Sequence, residues 1–251
     1  MDLATIIGIT GGLLLLLGSI LWGGHLGHFV DLTALLLVVG GCVTTLFVRH
    51  PLDEVNNAVA VLRKCLFLKQ PKMLSVIEQL VEMANFTRKN GILALEKMKS
   101  DDPFLQEAVN HCVDGADPEF LEHVLDMEVK YLGERHNRGR ILLEGLGESA
   151  IAFGLLGTVV GLIKMVGGLE DPASLGAALS TAMVSTFYGA LIAHLFAYPL
   201  AAKLANYSLE EQHVRRVIID GMIGIQKGVN PRLLQAALKA ALPPRLREVK
   251  S

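Results

Sequence analysis

The chain has 251 residues, 51% of them apolar and 19% charged, with a formal charge of −2. A soluble domain of this size seldom combines so apolar a composition with several near-chargeless runs. The composition therefore points to a membrane protein, and the near-neutral balance gives no electrostatic reason to expect nucleic acid.

The first candidate span covers residues 4–22, ATIIGITGGLLLLLGSILW. It has no basic n-region and a second apolar run follows almost at once, so it reads as a span and not as a cleavable signal peptide. After GGHLGHFVD, residues 32–48 form the second span, which Arg49 and His50 close and Pro51 breaks. The connection is too short for a domain, so residues 1–50 make a transmembrane hairpin.

From 51 to 143 the character changes. DEVNNAVAVLRKCLFLKQ and LSVIEQLVEMANFTRKNGILALEKMK place apolar residues at helical spacing with charges between them, and no alternating strand pattern appears. Asp53 and Asp117 are candidate N-caps, with Pro118 in the first turn of a helix expected to run on through Arg140 towards the third span. Cys65 and Cys112 lie in this region and Cys42 in the second span. The three form an odd set without metal-ligand spacing and read as small buried hydrophobes of a reducing compartment.

Residues 144–204 hold two further spans, about 149–168 and 178–202, joined by the acidic loop EDPASLG. Counting histidine as neutral, no charge occurs from Ser149 to Ile163 or from Pro172 to Ala202. A helix needs about 20 such residues to cross a bilayer core, and Lys164 can snorkel near the end of the third span. This pair is rich in small and hydroxylated residues: Gly154, Gly157, Thr158 and Gly161, then Ser180, Thr181, Ser185, Thr186 and Gly189. Small residues let membrane helices approach closely, and a hydroxyl in hydrocarbon needs a partner or a water-lined path. The pair is thus the expected working part. Residues 205–251 continue as helices, with Asn230 capping and Pro231 opening RLLQAALKAAL before Pro243-Pro244 ends it.

Charge sets the topology. Of 23 Lys and Arg, 13 lie between Arg49 and Arg140, nine lie from Lys203 onward, and Lys164 is the remaining one. The positive-inside rule places both polar regions and both termini in the cytoplasm. The expected fold is all-α: four transmembrane helices, a helical cytoplasmic domain between the second and third, and a cytoplasmic C-terminal helical tail.

Enzyme signatures are missing: there is no HExxH, no phosphate-binding loop before GK[ST] and no GxSxG. GMIGIQKG is glycine-rich but sits in an apolar periodic segment. His25 and His28 flank an outer loop and read as exposed polar residues. No carboxylate occupies mid-span; Asp31 and Glu148 stand only at span ends. A machine that moves ions normally carries an ionisable group inside the bilayer, so here another protein would have to supply it. Thr158 and Thr186 offer oxygen ligands suited to a hard cation, against the alternative that they only pack helices. Arg88 and Glu96 lie eight residues apart, near one face if a single helix carries both, although Gly91 between them weakens that continuity. They form either a solvated charged face or a docking surface.

Specific stretches resemble the MotA/PomA family of flagellar stator subunits. MDLATIIGITGG is similar to the start of that family, and Asp31 ahead of Gly40-Gly41 resembles its FxDxxSxxIVxGG pattern. FGLLGTVVGL resembles FGMIGTLVGL, and STFYGALIAHLFAYPLAAKL resembles TTLYGAxLxNxxFxPIAxKL. RKNGILALE resembles RKGGFLALE, and GVNPRLL resembles GxNPRxI. The match covers nearly the whole chain.

The resemblance implies an ion-channel and torque-generating A subunit of the bacterial inner membrane. Five copies would surround two B subunits of MotB/PomB type, which bring the essential aspartate, and rotation would act on the rotor protein FliG in flagellar motility and chemotaxis. No cofactor and no structural metal are implied; the transported ion would be sodium, with the proton as alternative. Thr158 and Thr186, with Gly154 and Ser185, would line the ion path, sodium passing transiently at the threonines. Arg88, Lys89, Glu96 and Arg232 would be rotor-facing or organising charges. Pro199 keeps a family proline and should kink its helix, whereas Ile151 replaces the proline of the family's APAFG. Lys97 and Lys99 replace glutamates, and His194 replaces a common asparagine. The rival readings are an ExbB/TolQ-like energiser, which has three spans, and a non-conducting membrane scaffold.

Overall fold

A computed structural model describes residues 3–55, 73–170 and 172–247. Helices make up the architecture, and no strand occurs among the described residues. In chain order they are α1 (Leu3–Gly23), a 3-10 turn (Leu26–Phe29), α2 (Leu32–Arg49), α3 (Met73–Asn90), a second 3-10 turn (Ile92–Lys97), α4 (Pro103–Val113), α5 (Pro118–Gly167), α6 (Pro172–Leu191), a π-turn (Ile192–Ala197), α7 (Tyr198–Gln226), α8 (Pro231–Lys239) and the short α9 (Pro244–Arg247). Among the described residues, four helical stretches are long and apolar enough to cross a membrane: Leu3–Gly23, Leu26–Arg49, Pro118–Gly167 and Ser174–Gln226. The chain divides into two compact units, one of residues 1–69 with 137–205 and one of 70–136 with 206–251.

In the first unit, packing is made by small residues. α1 buries no residue, and Leu14, Leu15 and Trp22 stand exposed on it, as expected of a helix whose solvent is lipid or a neighbouring chain. Among its glycines the tight approach is at Gly12, against which the Leu195 side chain rests. α2 buries Ala34, Val38, Gly41 and Cys42. Gly41 lies under the Phe153 ring, and Cys42 clusters with Ala150 and Ala193. α5 and α6 meet through Gly154, Gly157 and Gly161, spaced three and four residues apart so that they share one face. Opposite them stand Gly189, Ser185 and Ala182. A methyl group on Gly189 would collide with the Ala150 carbonyl, so the two backbones touch there.

The second unit has an ordinary hydrophobic core. Ile77 and Leu80 of α3, Leu105 of α4, Leu125 of α5, and Ile218 and Met222 of α7 are essentially inaccessible and belong to one cluster. The glycines of GMIGIQKG have a packing purpose: Gly221 admits Leu80 and Gly224 admits Leu234. Charges pin the same elements. Arg215 bonds Glu128 at 2.6 Å and Glu211 at 3.0 Å while lying 4.6 Å above the Phe104 ring, and Arg216 pairs with Asp126.

Helix boundaries follow local chemistry. Asp102 caps α4 by accepting from Phe104 N and Leu105 N ahead of Pro103, a start signal that sequence reading passed over. Asp117 accepts from Glu119 N, and Asn230 from Arg232 N, as expected. Asp53 is a correction: helix begins at residue 52, after Pro51, so Asp53 occupies the first turn and not the N-cap. A carboxylate is still favourable there, near the positive end of the helix dipole. The acidic connection is also shorter than EDPASLG, because α6 already starts at Pro172, a residue suited to a first turn. α7 ends in a Schellman arrangement: Gly228 has φ +68°, its N–H donates to Ile225 O, and Val229 N–H reaches back to Gly224 O. Cys65 lies outside the described residues.

Candidate functional site: a hydroxyl pair between α5 and α6

Close glycine contact between α5 and α6 brings Thr158 and Thr186 together. Their hydroxyl oxygens are in direct hydrogen-bond contact. Thr158 Oγ1 also lies 3.2 Å from the carbonyl oxygens of both Gly154 and Ala182, and Thr186 Oγ1 lies 3.5 Å from Ala182 O. Four oxygens therefore converge with only two hydroxyl protons among them. If both protons go to carbonyls, the hydroxyl lone pairs face each other, an arrangement that is poor in donors and rich in acceptors. Thr186 is exposed on this chain and Thr158 half-buried, so the group opens outward.

Ser185 sits beside this group with its hydroxyl committed elsewhere, whereas Gly154 enters the group through its carbonyl oxygen. Ser185 is fully buried, its hydroxyl donates to Thr181 O at 2.7 Å, and its body fills the hollow at Gly157. Gly154 lies against Gly189 and Thr186 backbone. The sequence brings all four residues together, and only the two threonines present side-chain oxygens outward.

A second polar network joins the start of α2 to Thr181 and Tyr188, which flank Thr186 on α6. Asp31 caps α2 through Ala34 N at 3.0 Å, and its second carboxylate oxygen accepts from the Thr181 hydroxyl. Tyr188 OH donates to Phe29 O at 2.7 Å and accepts from Asp31 N–H at 3.3 Å. The Phe29 and Phe187 rings meet edge-on at 5.7 Å. Thr181 and Tyr188 are seven residues apart, hence on one helix face. Sequence reading singled out Asp31 but missed these partners; the seven-residue spacing was the available signal.

Beyond the hydroxyl pair the helix changes pitch. Ile192–Ala197 form a π-turn, closed by Tyr198 N–H donating to Ala193 O. Pro199 follows directly. Because proline lacks an N–H and crowds the preceding carbonyl, a wider turn ahead of it relieves both problems. The irregularity ahead of Pro199 is therefore a π-turn. His194 sits in that turn, exposed, with its ring 5.4 Å from that of Tyr198. Ile151 is 41% exposed on α5. At the end of α2, Arg49 bonds Glu148 at 2.9 Å and reaches Gly145 O.

The remaining candidates lie in the second unit. Arg88 and Lys89 end α3, and Glu96 lies on the 3-10 turn; Gly91, at φ +82°, separates them, so no single helix carries both. Arg232 opens α8. All four side chains are exposed, as are Lys97 and Lys99, and none makes an ion pair with a described residue. No cluster of three or more His, Cys, Asp or Glu able to hold a metal occurs among the described residues.

Four long apolar helices, two of them packed through glycines with a hydroxyl pair on their open side, are the features of a multi-pass membrane protein. The MotA/TolQ/ExbB proton channel family matches residues 96–217. Chemotaxis protein PomA of Vibrio alginolyticus is 35% identical over 239 residues, 95% of this chain and 94% of that one. Motility protein A of Aquifex aeolicus is 36% identical, with 94% of each chain covered. Among solved structures, Campylobacter jejuni MotAB superposes with a TM-score of 0.90 at 28% identity over 97% of both chains. The flagellar MotAB stator complex of Bacillus subtilis gives 0.89 at 28% identity over 98% of both chains. The chain belongs to the MotA/TolQ/ExbB family, among its MotA and PomA motility proteins.

Proposed function

We propose that this chain is the A subunit of a flagellar stator, coupling inward flow of sodium to rotation against the rotor. The observation that carries the reading is the oxygen group of Thr158, Thr186, Gly154 O and Ala182 O. Its hard, neutral donors suit a sodium ion stripped of part of its water, and it has an open side on which a partner's carboxylate can complete the site. The partner is a MotB/PomB-type B subunit, the solved relatives being MotAB complexes. α1, which buries no residue, and the apolar outer faces of α5 fit contacts with further copies and lipid in a ring of five around two B subunits. Positive charge concentrated outside the spans supports cytoplasmic placement of both termini and of the second unit. There, exposed Arg88, Lys89, Glu96 and Arg232 form the surface that meets FliG.

The test is swimming of a stator-less host carrying this chain with its B subunit, sodium being replaced stepwise by potassium at fixed pH. Speed that falls with sodium supports the sodium path. Speed indifferent to sodium and abolished by a protonophore makes the coupling ion a proton and leaves the threonines to helix packing. No rotation, with flux into an outer-membrane process instead, favours the ExbB/TolQ-like alternative.

A further inference from the structure

The open side of the α5–α6 pair does not end at the two threonines. On α6 the exposed residues Met183, Thr186 and Ala190 follow one another three and four apart, and the π-turn adds exposed His194 four further on. Residues at that spacing lie along one helix face, so the four form a stripe. α5 runs beside it: Gly154 lies against Thr186 and Gly189 backbone, Gly189 against the Ala150 carbonyl, and Gly147 under the Tyr198 ring. Eight residues at about 1.5 Å each put His194 about 12 Å beyond Thr186 along the helix. Only Ala190 stands between them on the stripe, so His194 is the next polar side chain on this face. Its ring meets that of Tyr198 edge-on at 5.4 Å, and it makes no hydrogen bond or ion pair with a described residue. An ionisable side chain within a membrane helix is kept at a cost and marks the path of an ion or proton.

The charges on the elements packed around the π-turn have other partners. Leu3–Gly23 of α1, which meets the turn where Leu195 rests on Gly12, carry no titratable side chain. α2 brings the buried Cys42 thiol and, at its end, Arg49, which bonds Glu148 of α5 at 2.9 Å. Glu144 of α5 bonds Arg140 at 3.0 Å. α6 has Tyr188, whose hydroxyl donates to Phe29 O, and α7 adds Tyr198 and Lys203. A proton taken up by His194 therefore leaves a positive charge on the stripe with no described carboxylate paired to it. We infer that His194 is a titratable station on the ion path, on the cytoplasmic side of Thr158 and Thr186. Neutral, it offers a ring nitrogen to the passing cation; protonated from cytoplasmic water, it repels that cation and throttles the flow. Imidazole is the side chain that changes charge between about pH 5 and 8. The inference rests on the sodium-stator reading and its topology, and adds to them a dependence on internal pH.

The full chain and its B subunit are expressed in a stator-less host, and tethered-cell speed is recorded against sodium. A permeant weak acid sets the cytoplasmic pH between about 7.5 and 5.5, at fixed membrane potential and external pH. For the unsubstituted chain, the sodium needed for half-maximal speed should rise about tenfold in acid, the scale for two unit charges about 12 Å apart where screening is weak. His194→Gln keeps a polar side chain that takes up no proton, and should lose that rise. His194→Lys keeps its charge throughout and should need high sodium at both ends of the range. Membrane abundance and copurification with the B subunit are measured alongside. A rise of equal size in His194→Gln overturns the inference, as does a sodium requirement in His194→Lys equal to that of the unsubstituted chain at neutral pH. Loss of assembly in both variants overturns it too, making the ring a packing partner of Tyr198. Speed of the unsubstituted chain indifferent to sodium, or no rotation at all, overturns the sodium-stator reading, and is seen before any variant is compared.

Discussion

Thr158→Val is the sharpest perturbation of the proposed ion path, because it exchanges a hydroxyl for a methyl at nearly constant volume. The Thr158 hydroxyl has one proton to give, and its neighbours at Gly154 O and Ala182 O lie 3.2 Å away. Both carbonyls belong to helices, where backbone N–H groups already serve them. Losing this bond should therefore cost about 0.6 kcal/mol and at most about 1.7, the range measured for polar contacts between membrane helices. Assembly with the B subunit and membrane abundance should stay close to the unsubstituted protein. The ion path responds differently. Removing one of four converging oxygens should raise the sodium concentration for half-maximal speed by about tenfold, equivalent to about 1.4 kcal/mol. Thr186→Val should act alike. The double variant should be far less than additive, because the two hydroxyls share one site. The assay is tethered-cell rotation against sodium at fixed pH and fixed membrane potential. An unchanged sodium curve with normal abundance refutes the ion-path argument, and loss of protein would show that the hydroxyls hold the helices together instead.

Three further outcomes are expected. Gly189→Ala puts a methyl into the Ala150 carbonyl, so α5 and α6 must separate; thermal stability in detergent should fall by about 1–3 kcal/mol equivalent and rotation should be lost together with it, an unchanged melting curve contradicting the close contact. Tyr188→Phe removes the hydroxyl that joins Phe29 O to Asp31 N–H while keeping the ring against Phe187, so a cysteine placed at position 26 should label faster with a membrane-impermeant maleimide; equal rates would show that Tyr188 does not hold the loop. Burial pushes the Cys112 thiol up to about 11, so it should resist maleimide at pH 8 in the folded protein. The raised value also sets a sign. The unfolded thiol ionises near 9 while the folded one keeps its proton, so this group's contribution is full below pH 9 and is lost, by about 2–3 kcal/mol, as pH climbs to 11. Cys112→Ala should remove that alkaline slope in a chemical denaturation series.

What the sequence revealed was what repeats or acts locally. Chargeless runs of span length announced the four membrane helices, because hydrocarbon excludes unpaired charge over a fixed thickness. Asn230-Pro231 announced a helix start through capping geometry between near neighbours. Long-range facts stayed hidden. Nothing local says that Asp31 meets Thr181 and Tyr188 some 150 residues later, since two chain directions must first pack before those atoms approach. The glycines of GMIGIQKG looked uninformative for the same reason: their meaning is Leu80 and Leu234, which come from other helices. Gly91 was legible as a weakness, but its positive φ, which ends α3 between Arg88 and Glu96, needed the backbone. Within the site, composition pointed to Ser185 and the threonines alike; burial separated them, committing Ser185 to its own helix.

The π-turn at Ile192–Ala197 carries one more residue than an α-turn of the same rise. Deleting a single residue anywhere else along an α-helix rotates everything downstream by about 100°. In α7 such a deletion would swing Ile218 and Met222 out of their core. The π-turn is the place where the reading frame of the helix can absorb a change of one. A deletion of His194 should let the segment close as ordinary α-helix while Leu200 and Leu204 keep their phase against Leu143. Pro199 would then meet the crowding that the wide turn now relieves. The helix therefore holds its insertion and its proline as a matched pair, and a relative that loses one is expected to lose the other.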